Sequence, residues 1–593
     1  MHKRWMLRRR RIDEQVMRKT GISKIIMSIL ANRGITSEKE VDEFIHPSVD
    51  KLLDPFMMKD MDIGTNIICN EIRKNNKIAV YGDYDCDGIT STYILYNGLL
   101  RCGADVIYHI PDRIKEGYGM NIKSIEKLKR ENISTIITCD NGISALKEIE
   151  RAKELGMNVI VTDHHDIPFA EDGEGKIIQK IPCADAVINP KQEGCKYPFK
   201  MLCGAGVAFK FIQALYSKMG KDKKDAFEFI EYAAIGTICD VVDIVGENRI
   251  IAKLGLQSLN NTKNIGLKYL IEENKLELGS IRSYHIGFVL GPCINASGRI
   301  ESAATSLKLL MADSTENAKE LAQKLRGFNL KRQEMTEKSL NEIIYMIENS
   351  SLKQDRVIVV YKEDIHESIA GIVAGKLREK YNLPSIVITR GDSFCKGSGR
   401  SIDEYDMFSE LTKCADLMEN FGGHKMAAGM SIKEENIDKL RKRLNDNCRL
   451  TNEDIIPKII IDKRLPIDSI SFDVIDNIKS LEPFGKGNPA PVFAEKNIEV
   501  IRVYLIGKDK NTLKLCCRFK NTMGKLDAIS FNAGEKFKEI IKESYGIYEM
   551  NKILKNDFKH IFMDMVFSPV VNEYRNNKSI QIIVKDFRIS IHN

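Results

Sequence analysis

The sequence predicts an α/β protein: two α/β units in series, joined by a long helix and followed by a small β-barrel. Three observations carry this expectation. From residue 77 onward, short apolar runs alternate with amphipathic stretches, the pattern of a parallel sheet with crossover helices. The same alternation restarts at Arg356-Val357-Ile358-Val359-Val360. From 457 the chain turns to strands separated by turns, about five or six of them, which suits a small barrel with the OB-fold as the natural candidate. A chain of 593 residues, at roughly 150 residues per domain, has room for about four domains or three larger ones.

The elements follow in order. Residues 1–70 read as a polar helical segment, with turns near His46-Pro47-Ser48 and Asp54-Pro55. The first unit spans 71–312. Its strand candidates are Lys77-Ile78-Ala79-Val80, Asp105-Val106-Ile107-Tyr108, Thr135-Ile136-Ile137-Thr138 and Asn158-Val159-Ile160-Val161. Helical stretches at 119–131 and 142–156 separate them, 171–199 reads as an ordered loop with one short strand, and 204–275 is mostly helical. The charged periodicity of 315–349 predicts a connector helix over 313–350, the second α/β unit covers 351–452, and the barrel 453–593. Expected barrel strands include Lys458-Ile459-Ile460-Ile461 and Ile580-Gln581-Ile582-Ile583-Val584.

Composition narrows the function classes. A 43% hydrophobic chain argues against long disorder. No run approaches about 18 apolar residues, so no membrane span is expected, and the N-terminus MHKRWMLRRRR lacks the apolar core of a secretory signal. Fourteen scattered cysteines with no C-x-x-C read as reduced thiols and point to a cytoplasmic protein. The net charge of +7 is unevenly spread: residues 1–11 carry six basic side chains and no acid, and 451–593 carry a net +4. Basic ends around a slightly acidic centre suit an anionic polymer held near a metal site. There is no phosphate-cradling G-x-x-x-x-G-K-[ST], and His366-Glu367 lacks the second histidine of a zinc protease.

Three predicted strands end in acids. Val80 leads into Tyr-Gly-Asp83-Tyr-Asp85-Cys-Asp87-Gly88, Ile137 into Thr-Cys-Asp140-Asn141-Gly142, and Val161 into Thr-Asp163-His164-His165-Asp166. In an open parallel sheet ligands bind beyond the carboxyl ends of the strands. Carboxylates converging there do not all stay ionised without cations. Oxygen ligands with one or two imidazoles suit Mn²⁺ or Mg²⁺ better than zinc or copper. Calcium is disfavoured because position twelve from Asp83 is Ile94, not an acid.

YGDYDCDG, TCDNG and VTDHH resemble motifs of the DHH phosphoesterase superfamily, with a fourth motif at Asp240 in AAIGTICDVVDIVGENR. Longer strings are similar to the RecJ family of single-strand DNA exonucleases: PDRIKEGYG (111–119), LGPCINASGRIESA (290–303), LREKYNLPSIVI (377–388), KGSGRS (396–401), FGGHKMAAGM (421–430) and LEPFGKGNPAPVF (481–493). The resemblance spans about 30 to 593. It implies a DHH domain, a DHHA1 domain and an OB domain, and 5′→3′ degradation of single-stranded DNA to 5′-mononucleotides in DNA repair and recombination. It implies two ions, one on Asp83 and Asp85 and one on Asp87, His164 and Asp240, with Asp140 bridging them. A water then attacks phosphorus in line. His165 would touch the scissile phosphate and Asp163 would orient the histidines.

The second unit resembles DHHA1. There Ser398, Gly399 and Arg400, read as part of a Gly-rich turn, would bind phosphate together with His424. Arg113 and Arg299 are further candidates for phosphate contacts. In the barrel, Tyr504, Lys514, Arg518, Phe519 and Phe531 are available to a single strand. The chain departs from the family pattern at Cys293, where arginine is usual, at Asp243, where proline is usual, at His366-Glu367-Ser368, and in a small insertion at 171–180. None removes an implied metal ligand. Competing readings are a DHH–DHHA1 phosphodiesterase on oligoribonucleotides or cyclic dinucleotides, against which length and the barrel argue, and a non-catalytic Cdc45-type DNA-binding scaffold, against which the intact ligand set argues. The expected partners are single-stranded DNA, a helicase and a single-strand-binding protein, and the expected state is a monomer.

Overall fold

The computed structural model describes residues 3–113, 116–117, 119–171, 177–521, 523–574 and 577–590. It opens with a strand, β1 (Arg4–Leu7), in place of the expected helical start, followed by short helices including Lys24–Asn32 and Glu38–Ile45. The first sheet then builds from β2 (Lys77–Tyr81), β3 (Asp105–His109), β4 (Ile133–Cys139) and β5 (Asn158–Thr162). A two-stranded hairpin, β6 (Phe169–Glu171) and β7 (Ile177–Gln179), precedes the last strand, β8 (Ala186–Ile188). The 171–199 segment thus carries more strand than expected, and residues 172–176 of the insertion lie outside the described residues.

Strand order is β3-β2-β4-β5-β8, all parallel. The central strands are buried along almost their whole length, as parallel strands covered on both faces are. From β2 the chain first steps outward to β3, then returns past β2 to β4 and continues the other way. The order therefore reverses between β2 and β4, and the crevice beyond their carboxyl ends is the usual ligand position.

Helix Thr315–Glu348, about 50 Å long at 1.5 Å per residue, leads to the second sheet. That sheet contains β9 (Ile358–Tyr361), β10 (Ser385–Thr389), β11 (Cys395–Arg400), β12 (Met418–His424) and β13 (Ala427–Ile432), in the order β12-β13-β11-β10-β9. Only β9 and β10 pair in parallel.

The last strands are β14 (Lys458–Ile461), β15 (Lys463–Arg464), β16 (Phe493–Ile506), β17 (Thr512–Arg518), β18 (Lys525–Ser530), β19 (Ile561–Tyr574) and β20 (Asn577–Ile589). The order β15-β16-β17-β18-β20-β19 closes on itself through β16–β19 pairing, which makes the barrel. β14 is not a barrel strand: it pairs in parallel with β1, Trp5 opposite Ile459.

The chain forms two compact units. One gathers residues 1–51, 243–249 and 458–593; the other holds 52–242 and 250–457. In the first, Ile26, Met27, Ile29, Leu30, Val41 and Phe44 share one apolar core with barrel residues such as Leu481, Phe493 and Phe567. Trp5 is fixed there too. Its Nε1 donates to Asp586 Oδ2 at 2.7 Å and the Arg588 guanidinium lies over its ring.

Candidate active site

The loop after β2 turns into helix Cys86–Leu100 with Asp85 as its N-cap, its Oδ1 accepting from Gly88 N at 3.0 Å. Asp87, in the first turn, is buried. Both its oxygens accept backbone N–H groups from the start of helix Gly204–Lys218: Gly204 N at 2.6 Å and Ala205 N at 2.9 Å. A helix N-terminus favours an anion, so the Asp87 carboxylate is oriented before any ligand arrives. A Cβ on Gly204 would sit 2.6 Å from Asp140 Cβ, and one on Gly236 2.5 Å from Asp87 Oδ1. Two glycines therefore let three helices crowd the acids.

Asp140 follows β4 in the left-handed region, φ 60°, a conformation that aspartate tolerates better than most residues. Its N donates to Thr162 O at 3.2 Å, which ties it to β5 and the histidine pair. His164 Nε2 lies 3.0 Å from Asp140 Oδ1, 3.7 Å from Asp240 Oδ2 and 3.8 Å from Asp87 Oδ2. Asp240 caps helix Ile230–Cys239 at its C-terminal end, and the next residue, Val241, is β-branched yet has φ 58°. Strained backbone of this kind clusters at functional sites.

These side chains form two groups whose ligand atoms lie within 4.8 Å of one another: Asp83, Asp85 and Asp140, and Asp87, His164 and Asp240; Asp140, His164 and His165 make a third such set. Asp83 Oδ1, Asp140 Oδ1 and His164 Nε2 are buried without a well-formed hydrogen bond, although the last two face each other at 3.0 Å. Leaving three such atoms unpaired is costly, and cations between the groups would satisfy them. The residues present therefore fit divalent metal.

The electrostatics agree. Burial and then Asp85 push the Asp83 carboxyl well above its ordinary range. Burial and then Asp85 raise Asp87 to about 6, and burial and then Asp87 raise Asp240 to about 8. Asp140 is raised by burial, then by Asp87, Asp85, Asp83 and Asp240. Burial lowers His164 to about 3, keeping its imidazole neutral as a ligand must be. His165 goes the other way. Burial opposes its charge, but Asp163 outweighs burial through a 2.8 Å hydrogen bond to Nδ1 and raises it to about 9. Asp163 itself, although buried, is held down at about 2 by His165, His164 and the Ile143 N–H.

The phosphate candidates divide. Arg113 lies over the Tyr84 ring, 4.9 Å from its centre. Arg299, at the end of helix Gly291–Ile300, donates to Ser368 O at the start of helix Glu367–Tyr381. Burial, then Arg113 and Arg332, lower its pKa to about 10, with Asp85 acting against them. Ser398, Gly399 and Arg400 do not form the turn expected of them. They lie in β11, paired on both sides by β10 and β13, so their backbone N–H groups serve the sheet rather than a phosphate. The side chains keep their chemistry. Arg400 and Ser398 face Gly371 of helix Glu367–Tyr381, and Arg400 Nη1 bonds the Gly399 carbonyl. His424 is exposed, with Nδ1 3.9 Å from Asp166 Oδ2, next to the histidine pair.

Among the barrel residues, Tyr504 and Phe531 are exposed, Phe519 packs against the core, and Lys514 and Arg518 are paired with Asp527 and Glu499. Cys293 does not face a phosphate. It is buried between Asn274 and Asn329, so its departure from the family pattern is a matter of packing. Asp243 belongs to the barrel unit, where it approaches Lys486. Sequence reasoning missed Asn295, whose Oδ1 accepts from Cys86 N at 2.7 Å and orders the first turn behind Asp85 and Asp87. Its place inside LGPCINASGR was the available signal.

A reversed-order parallel sheet with this acid and histidine cluster beyond its strands, followed by a second α/β domain, defines a DHH-type phosphoesterase. Models of the DHH family N-terminal domain, the DHHA1 domain and the RecJ OB domain match residues 77–237, 354–450 and 461–586. The chain belongs to the RecJ family. It is 37% identical to the single-stranded-DNA-specific exonuclease RecJ of Bacillus subtilis (strain 168), over 99% of this chain and 71% of the relative. It is 31% identical to the protein of the same name from Salmonella typhimurium, over 99% of each. Among solved structures, RecJ in complex with Mn²⁺ from Thermus thermophilus shares the fold with a TM-score of 0.81 at 24% identity, covering 99% of this chain and 80% of that one. An exonuclease RecJ bound to manganese gives 0.57 at 30% identity, over 68% of this chain and 97% of that one. Among the described residues no helix is long and apolar enough to cross a membrane.

Proposed function

We propose that the chain is a divalent-metal-dependent exonuclease that degrades single-stranded DNA from the 5′ end to 5′-mononucleotides. The observation that carries this is the pair of three-ligand groups meeting at Asp140, with three buried ligand atoms left without partners. Asp83 and Asp85 would hold one ion and Asp87, His164 and Asp240 the other, with Asp140 shared; the all-oxygen and imidazole set suits Mn²⁺ or Mg²⁺. When bound, two such ions activate water and neutralise charge on the attacking and leaving oxygens.

The remaining work falls to the chain. The N-terminus of helix Gly204–Lys218 orients the Asp87 carboxylate and opposes the rise in pKa that burial and Asp85 impose on it. Asp163 keeps His165 protonated, and an imidazolium beside the cluster can hydrogen-bond a non-bridging oxygen of the scissile phosphate. Arg113, Arg299, Ser398, Arg400 and His424 carry donors for a phosphate one nucleotide away. That arrangement would start cleavage at the 5′ end. The barrel would hold the strand downstream. A helicase that frees the strand and a single-strand-binding protein are natural companions of such an enzyme, which would act as a monomer among the reduced thiols of a cytoplasm.

Asp140→Asn tests the assignment. Asparagine also tolerates a left-handed backbone, so the fold should survive while turnover falls at least about a hundredfold, beyond what even loss of a ligand's supporting partner costs. The variant should also lose the thermal stabilisation by Mn²⁺ that is expected of the parent. A folded variant with near-normal turnover and unchanged Mn²⁺ stabilisation would remove the shared ligand from the account.

A further inference from the structure

Tyr284 and Phe288 are 63% and 70% exposed. They stand one turn apart, with ring centres 5.0 Å apart and planes inclined by 26°. Each forgoes most of the burial that usually places a large ring inside. The backbone beneath them is a π-helical turn, Ile286–Leu290, running directly into helix Gly291–Ile300. Such wide turns are uncommon and recur at functional sites. Here the turn keeps Ile286 and Leu290 in the core while both rings point out.

Position makes the pair more than an exposed patch. On the inner side of the same turn, a Cβ on Gly287 would lie 3.7 Å from Ile238, and one on Gly291 2.4 Å from Cys239 Sγ. The turn thus packs on the end of the helix that Asp240 caps. Val241, the residue after Asp240, is 59% exposed. Farther along, Asn295 bonds Cys86 N at the acid cluster, and Arg299 reaches Ser368 and the other arginines. One continuous helical run therefore carries a phosphate candidate at one end, a contact to the metal-ligating loop in its middle and two open rings at the other. From Phe288 to Asn295 is about 10 Å along the axis, or about three stacked nucleotides. Arg282 is exposed on the turn before the rings.

We infer that Tyr284 and Phe288 form a base-stacking platform for the single strand on the 3′ side of the scissile bond, about three nucleotides from it. The inference rests on the exonuclease reading above. The ligand class is an unpaired nucleobase of any kind, because stacking on a ring face is indifferent to sequence. A platform inside the catalytic unit, separate from the barrel, would hold the strand in register while each nucleotide is removed.

The test uses the full chain with fluorescent single-stranded 15-mers, either intact or with one abasic site moved stepwise from the 5′ end. Binding is read in chelator, where no cleavage occurs, and turnover in Mn²⁺. The parent should bind an abasic strand more weakly when the gap falls near the third or fourth nucleotide than elsewhere. Y284A/F288A should lose roughly tenfold or more in affinity for the intact 15-mer, become indifferent to the gap's position, and lose far less in turnover of a dinucleotide, which does not reach the rings. Y284A/F288W should regain part of that affinity, since a ring of any kind serves. An unchanged affinity in the double variant would overturn the proposal and leave the rings to a protein partner. So would a parent indifferent to the gap's position, or equal losses on dinucleotide and 15-mer. Failure of the exonuclease reading is visible separately, as absence of cleavage in Mn²⁺ by a parent that still binds the strand in chelator.

Discussion

Asp240, raised to about 8, and Asp87, raised to about 6, have a consequence for stability. A carboxyl whose folded pKa lies above its unfolded value of about 3.9 binds protons more tightly when folded. Metal-free protein should therefore be most stable below about pH 4, as far as this site is concerned, and lose that contribution as pH rises toward 8. Cations replace the protons, and their ligands must be deprotonated. The increase in Tm on adding Mn²⁺ should thus be larger at pH 8 than at pH 5; thermal melts at both pH values with and without metal check this, and an equal increase would mean the acids do not bind the ion. Arg400 offers a second residue-scale test. Its burial lowers its pKa, Arg378 adds to the effect, and no carboxylate partners it among the described residues. A guanidinium in that setting suits a phosphate. Arg400→Ala should lose at least about tenfold in activity on 5′-phosphorylated DNA and much less on a 5′-hydroxyl end, measured side by side. Equal losses would place Arg400 at the scissile phosphate or in the fold instead.

At the scale of elements, what was legible depended on how local the signal was. The acids of motifs I to III follow apolar strands in sequence, so strand pattern plus the rule about strand ends was enough to group them. Asp240 ends a helix, with no strand before it, and only the family resemblance found it. The GSGRS string misled because Gly and Ser usually signal a turn. In the fold those glycines answer to packing: a Cβ on Gly397 would lie 2.6 Å from Met430, and one on Gly399 3.2 Å from Met407. The union of the N-terminal helices with the barrel was invisible for another reason, since its contacts join residues hundreds of positions apart. Arg249 is the clearest case. Fully buried and lowered to about 9 by burial and then Arg33, it donates to carbonyls of Phe44, Leu481, Ser480 and Glu482. Arg249→Met would leave several of these buried acceptors unpaired, at a cost of about 3 kcal/mol or more. Denaturant unfolding should show this loss, with the metal-induced stabilisation of the other unit retained.

For the whole molecule, the division into units changes how the chain should be dissected. Cutting near 455 removes the barrel but strands Ile26, Met27, Leu30, Val41 and Phe44 without their core. Exposed apolar patches of that kind promote association. A fragment of 52–457 should therefore stay soluble where 1–457 aggregates, as light scattering of the two would show. On the proposed reading, a metal cluster cuts single strands from the 5′ end. Single-stranded DNA carrying a 5′ or a 3′ label, incubated with Mn²⁺ or with chelator, tests it most directly. The 5′ label should be released at once as a mononucleotide, the 3′-labelled strand should form a ladder that shortens with time, and no products should form in chelator. Early release of the 3′ label, cuts at internal positions, or products in chelator would contradict that reading.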